Sequence, residues 1–165
     1  MTDNRENGRI EVRRIGIEEP AFIDVLKLRW EELDQNDDIP LPTGPSNNDS
    51  HPNAIHVAAF DDARVVGTVR IDLGLDADGL VRRMAVAPDM RRRKIGARVL
   101  MLAEHFAADD MEMQTLHLNA KIDAVDFYES QGYHLTGIQY RWPPTEDGER
   151  HYEMLKVLID TEQIK

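Results

Sequence analysis

The stretch VRRMAVAPDMRRRKIGARVL, Val81–Leu100, decides the fold. A strand predicted from Leu80 ends at Ala87, where Pro88 stops it, and the basic run RRRK then opens directly into an amphipathic helix. Backbone N–H groups at a helix start have no partner within the helix and lie at the positive end of its dipole. A strand, a basic turn and a helix in this order therefore predict a site for a pyrophosphate or a similar anion.

The helix itself is predicted from about Met90 to Ala107 because its apolar residues recur at helical spacing. Outward from it, the periodicities predict a mixed α/β fold, with an antiparallel-rich sheet and helices on both faces. The other predicted elements are strands at 9–15, 56–60, 64–73, 115–120, 132–140 and 151–158, helices at 20–33 and 123–130, and a loop at 38–53.

Length and composition are those of one ordinary soluble domain. The chain has 165 residues, of which 41% are hydrophobic and 31% charged. We expect residues 1–8 to be a disordered start and residues 9–165 to form the domain. No stretch approaches the ~20 apolar residues of a membrane span and no signal peptide is evident, so a cytoplasmic protein is expected.

Charge and cysteine content exclude several functions. The absence of cysteine excludes a thiolate metal site and a cysteine nucleophile, and we expect no metal at all. The formal net charge of -11 argues against general nucleic-acid binding. Seven of the 20 basic residues nevertheless lie between Arg82 and Arg98, which marks that segment as the place for an anionic ligand.

Two segments carry a family resemblance. The residues Arg91, Arg92, Arg93, Lys94, Ile95, Gly96 and Ala97 resemble the coenzyme A pyrophosphate loop of the GNAT superfamily of N-acetyltransferases, and Lys94 departs from it by replacing the usual first glycine. The segment LHLNAKIDAVDFYESQGY resembles the second hallmark of that superfamily, with matches at Asn119, Phe127, Tyr128, Gly132 and Tyr133.

The resemblance implies acetyl-CoA as cosubstrate and a GNAT-like sheet whose two central strands splay apart to admit it. It also implies that Met84, Ala85 and Val86 pair with the pantetheine arm. Without this resemblance, RRRK would be read as a solvated helix start or as a nucleic-acid patch.

Acetyl transfer to an amine needs a base for the amine and a proton for the departing thiolate. In the family a tyrosine after the fifth strand can supply the proton, and Tyr128 matches it, although it could instead be a core aromatic. The stretch from Val81 to Lys156 further resembles the glyphosate N-acetyltransferase group, whose catalytic histidine matches His151. The alternative for His151 is a strand-end histidine that meets solvent.

The same group holds an acidic substrate through three basic residues, which here match Arg29, Arg82 and Lys121. Arg29 falls inside the apolar arc of the first helix, and Arg82 shares a predicted strand face with Met84. A buried cation needs an anionic partner, which could be an internal carboxylate or a ligand. In that group all three positions hold arginine, so Lys121 is a departure: lysine lacks the bidentate fork of arginine.

We therefore expect an acyltransferase, an acetyl-CoA-dependent N-acetyltransferase whose acceptor is a small, acidic amine, acting as a monomer or homodimer without nucleic-acid or membrane partners. The alternatives are an enzyme acting on a peptide or protein amine, a noncatalytic coenzyme A-binding module and, least favoured, a nucleic-acid module built on RRRK.

Overall fold

A computed structural model describes residues 9–158 of the chain. The predicted disordered start at residues 1–8 lies outside the described residues. Ten regular elements follow one another: β1 Ile10–Arg14, α1 Phe22–Arg29, β2 Ile55–Asp61, β3 Arg64–Leu73, β4 Asp78–Val86, α2 Ile95–Asp109, β5 Thr115–Lys121, α3 Val125–Ser130, β6 His134–Trp142 and β7 Glu149–Val157.

The fold class is confirmed: the strands form a mixed, mostly antiparallel sheet in the order β1-β2-β3-β4-β5-β7-β6. The segment between α1 and β2 has no strand, and after the short helical turns that end at Asp37 it is irregular, which confirms the predicted loop at 38–53. Of the helices that the described residues form, none is long and apolar enough to cross a membrane.

Two helix boundaries differ from the predicted ones. The helix predicted at 20–33 is α-helical only over Phe22–Arg29 and then continues as a π-helical turn, Trp30–Asp34. The helix predicted from Met90 starts at Ile95, because Arg92 and Lys94 have positive φ angles of 67° and 61° that an α-helix does not allow.

The chain divides into two compact units, which we describe separately. Within the described residues, the first unit comprises 9–72 and Val81–Met111. In it, β2 pairs antiparallel with β1 and with β3. The ring of His56 on β2 contacts Phe22 of α1, at a centroid distance of 5.0 Å. Ala59, which lies on the other face of β2, is paired with Gly67, and Gly67 faces Ile95 of α2. The two helices therefore cover opposite faces of this part of the sheet.

The second unit comprises Leu73–Leu80 and the described residues from 112 on. Asp78–Leu80 pair in parallel with Thr115–His117 over three residue pairs, and β7 lies antiparallel between β5 and β6. Alternation along these strands separates two faces. One face is apolar and buried, and the other is polar. The buried face carries Leu116, Leu118, Ala120 and Met154, and the polar face carries His117, Asn119, Lys121 and His151.

Close packing of α2 on the first unit gives a stability prediction. A Cβ atom added at Gly67 would lie 2.7 Å from Cγ2 of the buried Ile95. We expect Gly67→Ala to lower the free energy of unfolding by about 1–3 kcal/mol, because the core must shift to admit the methyl group. Gly44→Ala is the matched control, since no heavy atom lies within 4 Å of its added Cβ. Urea unfolding of both variants tests this, and equal unfolding free energies would contradict it.

Candidate functional site

In the basic turn between β4 and α2, the backbone enters the left-handed region at two residues, Arg92 and Lys94. Arg91 is extended, with φ -67° and ψ 158°, whereas Arg92 and Lys94 lie in the left-handed region. The side chains of Arg92 and Lys94 are exposed. Each non-glycine residue in the left-handed region costs on the order of 1 kcal/mol, so this turn is strained at two positions. The family position usually held by glycine does require a positive φ here.

The start of α2 is open. Its first helical hydrogen bond runs from Arg98 N to Lys94 O, at 3.0 Å, and no side chain caps the helix. The N–H groups of Ile95, Gly96 and Ala97 therefore have no intrahelical acceptor. Oriented N–H groups beside exposed cations are what an anion such as a pyrophosphate requires.

Ion pairs fix the segment before the turn. Both terminal nitrogens of Arg64, at the start of β3, donate to the Asp89 carboxylate at 2.7 Å. This bidentate hydrogen bond lowers the pKa of Asp89 and raises that of Arg64. Ala87 N donates to Val66 O at 2.9 Å, so the chain leaves β4 in a defined direction.

The π-helical turn supplies two acidic partners that the sequence reasoning missed. Glu32 accepts a hydrogen bond from Arg91 at 2.8 Å, and Asp34 accepts two from Arg83 at 2.9 and 2.5 Å. The hydrogen bonds from Asp34 raise the pKa of Arg83. Two of the cations in the basic segment are thus held by carboxylates of the protein itself.

Arg82 is not buried, although it was predicted to share a strand face with the apolar Met84. Its side chain is exposed, and the adjacent Arg83 is the partly buried arginine. Gly79, Val81 and Ala85 are buried, so the odd-numbered residues of β4 form its more buried face and Arg82 lies on the other one. The predicted burial of Arg82 is therefore wrong. Met84 and Val86 are half-buried and Ala85 is buried on the same strand.

Arg29 is buried as its place in the helix arc predicted, with 1% of its surface exposed. Of the two partners left open, the structure shows the internal carboxylate: Arg29 Nη1 donates to Asp49 Oδ1 at 2.8 Å. Arg70 Nη1 donates to the same oxygen at 2.8 Å. Burial lowers the pKa of Arg29. Burial also opposes ionisation of Asp49. The charge of Arg29 and the hydrogen bonds from Arg70 and Ser46 outweigh this effect, so the pKa of Asp49 is lowered.

Tyr128, on α3 in the second unit, packs among aromatic rings. Its ring centroid lies 5.1 Å from that of Phe127 and 5.8 Å from that of the fully buried Tyr133. Burial raises the pKa of Tyr128 to about 12. Its phenol therefore keeps its proton throughout the physiological pH range.

His151 lies on the polar face of β7. In register it stands between Lys121 of β5 and Tyr140 of β6, and its ring centroid is 6.1 Å from that of Tyr140. Lys121 Nζ lies 3.2 Å from a carboxylate oxygen of Glu149, and both side chains are exposed. Asn119 lies on the same face, paired in register with Glu153.

Tyr128 and His151 belong to opposite faces of this part of the sheet. Lys156 Nζ lies 5.7 Å from the ring centroid of Tyr133, which in turn contacts Tyr128. Because β7 is regular and residues 151 and 156 are five apart, their side chains point to opposite faces. The structure thus brings His151 together with Lys121, and places Tyr128 on the Lys156 side. In residues 9–158, no cluster of three or more His, Asp or Glu side chains could hold a metal ion.

Comparison with known proteins gives a family and a fold. Residues 52–135 match the model of the acetyltransferase (GNAT) domain. Among solved structures, Escherichia coli ElaA superposes with a TM-score of 0.72 at 20% identity, covering 89% of this chain and 99% of the other. An aminoglycoside 6'-N-acetyltransferase complexed with coenzyme A gives 0.72 at 16% identity, covering 91% and 98%. An acyl-CoA N-acyltransferase from Pseudomonas aeruginosa gives 0.72 at 15% identity, covering 89% and 99%.

The left-handed backbone at Lys94 gives a prediction about stability. Lys94→Gly should raise the free energy of unfolding by about 1 kcal/mol, because glycine adopts this conformation without a Cβ clash. Lys94→Ala is the matched control: it removes the same charge but keeps the Cβ, so its stability should stay within about 0.5 kcal/mol of the parent. Guanidinium unfolding measures both, and equal stabilisation by the two variants would show that charge, not backbone strain, is the cause.

Proposed function

The chain belongs to the GNAT acetyltransferase family, and on that premise we propose that it is an acetyl-CoA-dependent N-acetyltransferase of a small-molecule amine. The observation that carries the proposal is the uncapped start of α2 behind a turn of exposed cations. Such a turn fits the phosphates of coenzyme A. The acetyl thioester supplies the activated acyl group.

The chain offers a defined set of residues to hold acetyl-CoA. The N–H groups of Ile95, Gly96 and Ala97 are free to donate to phosphate oxygens, and Arg92 and Lys94 add charge. The family resemblance adds Arg91, Arg93, Met84, Ala85, Val86, Asn119 and Phe127 to the proposed cofactor-binding set. Arg91 enters that set already paired with Glu32, so it would bind through its remaining donors.

Tyr128 is the proposed general acid. A phenol whose pKa is about 12 is fully protonated at neutral pH, so it is ready to donate a proton to a leaving sulfur. Its packing against Phe127 and Tyr133 restricts the ring, which favours one direction for the hydroxyl. The packing supports the proposed role, whereas the raised pKa makes the phenol a weaker acid than a free tyrosine, as expected for the alternative of a core aromatic.

His151 is the proposed base, on the face opposite to Tyr128. A base and an acid of one acyl transfer must both come within hydrogen-bond reach of the reacting atoms. The placement of the two groups on opposite faces therefore counts against their acting together, and each is tested by its own variant. The ring of Tyr140 lies beside that of His151 and limits its orientation.

For the acceptor we propose a small molecule with an acidic group, to which the family resemblance assigns Arg82 in the first unit and Lys121 in the second. Both side chains are exposed. The surface pair of Lys121 with Glu149 contributes only about 0–1 kcal/mol, so a ligand carboxylate can replace Glu149. Arg29 is left out of the proposed set, because Asp49 already occupies it.

A cationic amine is the second candidate acceptor. One observation favours it: of the three basic residues matched to an acidic substrate, Arg29 is paired with Asp49 and Lys121 with Glu149. The net charge of -11 would also attract a cation. A peptide or protein amine with a positive charge would be an acceptor of this second class.

The function is tested first by calorimetry with coenzyme A and by a thiol-release screen of acetyl-CoA against acidic amines, polyamines and peptides.

We then expect Tyr128→Phe to lower kcat by about 10²- to 10⁴-fold with nearly unchanged acetyl-CoA affinity, as for loss of a general acid. His151→Ala should lower kcat and abolish the acid limb of the pH–rate profile. Tyr152→Phe, which removes a hydroxyl outside the proposed machinery, should leave the rate unchanged.

These results separate two failures. If coenzyme A does not bind, the family function itself is wrong for this chain. If it binds but Tyr128→Phe turns over like the parent, only the acid is misassigned.

The acceptor class is tested by Arg82→Ala. If Arg82 holds an acidic group equally in the ground and transition states, KM for the acceptor should rise about tenfold or more while kcat is unchanged. Stability should not change, because the side chain is exposed. A preference for polyamines, with no effect of Arg82→Ala on KM, would replace the acidic acceptor with the cationic one.

A further inference from the structure

A buried cluster in the first unit is used by none of the proposed chemistry. Its members are Arg29 on α1, Asp49 in the 38–53 loop, and the neighbouring His56 on β2 and Arg70 on β3. Each of the four is buried, with at most 6% of its surface exposed. The cluster is the place where the loop is attached to two strands and a helix.

Asp49 makes that attachment through both its side chain and its backbone. Its carboxylate receives hydrogen bonds from Arg29 and Arg70, each at 2.8 Å, and from Ser46 N at 3.0 Å. Asp49 N donates in return to Ser46 Oγ at 3.1 Å. The backbone oxygen of Asp49 lies 2.9 Å from His56 Nε2.

The contacts of His56 fix its protonation state. Its Nδ1 lies 3.2 Å from Arg29 Nη2. Because a guanidinium can only donate, Nδ1 must accept and cannot carry a proton. The single ring proton is then on Nε2, which donates it to the Asp49 carbonyl. Only the neutral imidazole satisfies both contacts.

The charged groups around His56 come from each element that packs on it. Helix α1 contributes Arg29, the loop contributes Asp49, and β3 contributes Arg70, the register partner of His56. From β1, the neighbour is the apolar Ile15, whose N–H donates to His56 O at 3.0 Å. A second proton on His56 would therefore face two guanidinium groups and the Asp49 carboxylate, and Arg70 is in addition paired with Asp72 of β3.

We propose that His56 is a pH-sensitive latch: its neutral ring holds the 38–53 loop in place, and protonation of Nδ1 releases the loop. The protonated ring loses the hydrogen bond from Arg29 and adds a third positive charge to the cluster. The contact of Nε2 with the Asp49 carbonyl survives protonation, so release requires the closed cluster as a whole to open: the loop moves away with Asp49, and water reaches the charged ring.

The pH window follows from the direction of the shift. Burial, aided by Arg29 and Arg70, lowers the pKa of His56 below 6.5 in the folded protein. An open loop gives His56 access to water and moves its pKa back toward the ordinary value, so the closed form is favoured above pH 6.5 and loses its advantage as pH falls toward the lowered pKa. Asp49 stays ionised in this window because its own pKa is lowered.

The experiment is hydrogen exchange of the Ser46 and Asp49 amides, corrected for the intrinsic pH dependence, together with NMR titration of His56. We expect the opening constant of the loop to rise about tenfold per pH unit below 6.5, as linkage to one proton requires. It should level off at the midpoint of the His56 titration.

His56→Gln cannot protonate and should make loop opening independent of pH, whereas His51→Gln, which changes the exposed histidine of the same loop, should keep the pH dependence. If His56→Gln does not fold, the comparison of midpoints in the parent protein decides. An opening constant that does not change below pH 6.5, or a His56 titration at 6.5 without any change in the loop, would overturn the proposal.

Discussion

The carboxylate of Asp49 is the contact on which the first unit depends most. Arg29 and Arg70 are both buried, and they donate to the same oxygen of Asp49. Losing one partner of a buried ion pair typically costs about 3–5 kcal/mol because the other charge remains without compensation. Here one residue of a loop with four of the eight prolines pairs with both cations, and Asp72 of β3 is a second partner of Arg70. The loop is thus ordered by charge and hydrogen bonds, since it has no apolar periodicity of its own.

Much of the fold could be predicted from the sequence, because strands and helices repeat their apolar residues at fixed spacing. The β2–β3 hairpin and the stripe on α2 follow from that spacing, and the 38–53 loop follows from its four prolines and its lack of any period. Arg29 was recognised as an interior cation on the same basis. Its partner Asp49 was not, because residues in a loop have no periodicity that would place them opposite a helix.

The remaining errors concern the faces of β4 and the start of α2. Arg83 and Lys94 have positive φ angles although neither is glycine. On β4 the more buried face is that of Val81 and Ala85, so Arg82 is exposed and Arg83 is the residue paired with Asp34. At Lys94 the positive φ delays the start of α2. The family pattern has a glycine at the position of Lys94, and this glycine was the signal in the sequence for a positive φ there. No comparable signal marks Arg83.

Strain in the basic turn has a physical reason if the turn binds phosphate. Left-handed residues at Arg92 and Lys94 keep α2 from starting earlier, and an earlier start would use the same N–H groups within the helix. Surrounding contacts must hold such a conformation in place. The bidentate pair of Arg64 with Asp89 does so from one side, and the bond of Arg91 with Glu32 does so from the other.

The second unit separates the two proposed catalytic groups by environment and by face. Tyr128 lies among aromatic rings, where burial keeps its proton in place. His151 lies on the polar face, next to the charged Lys121 and Glu149. An acid that must keep a proton benefits from apolar surroundings, and a base that must accept one benefits from polar surroundings that can stabilise its charged form. The period of two along β7 accounts for the different faces: His151 points to the polar face, whereas Lys156, beside Tyr133, points to the face on which Tyr128 packs.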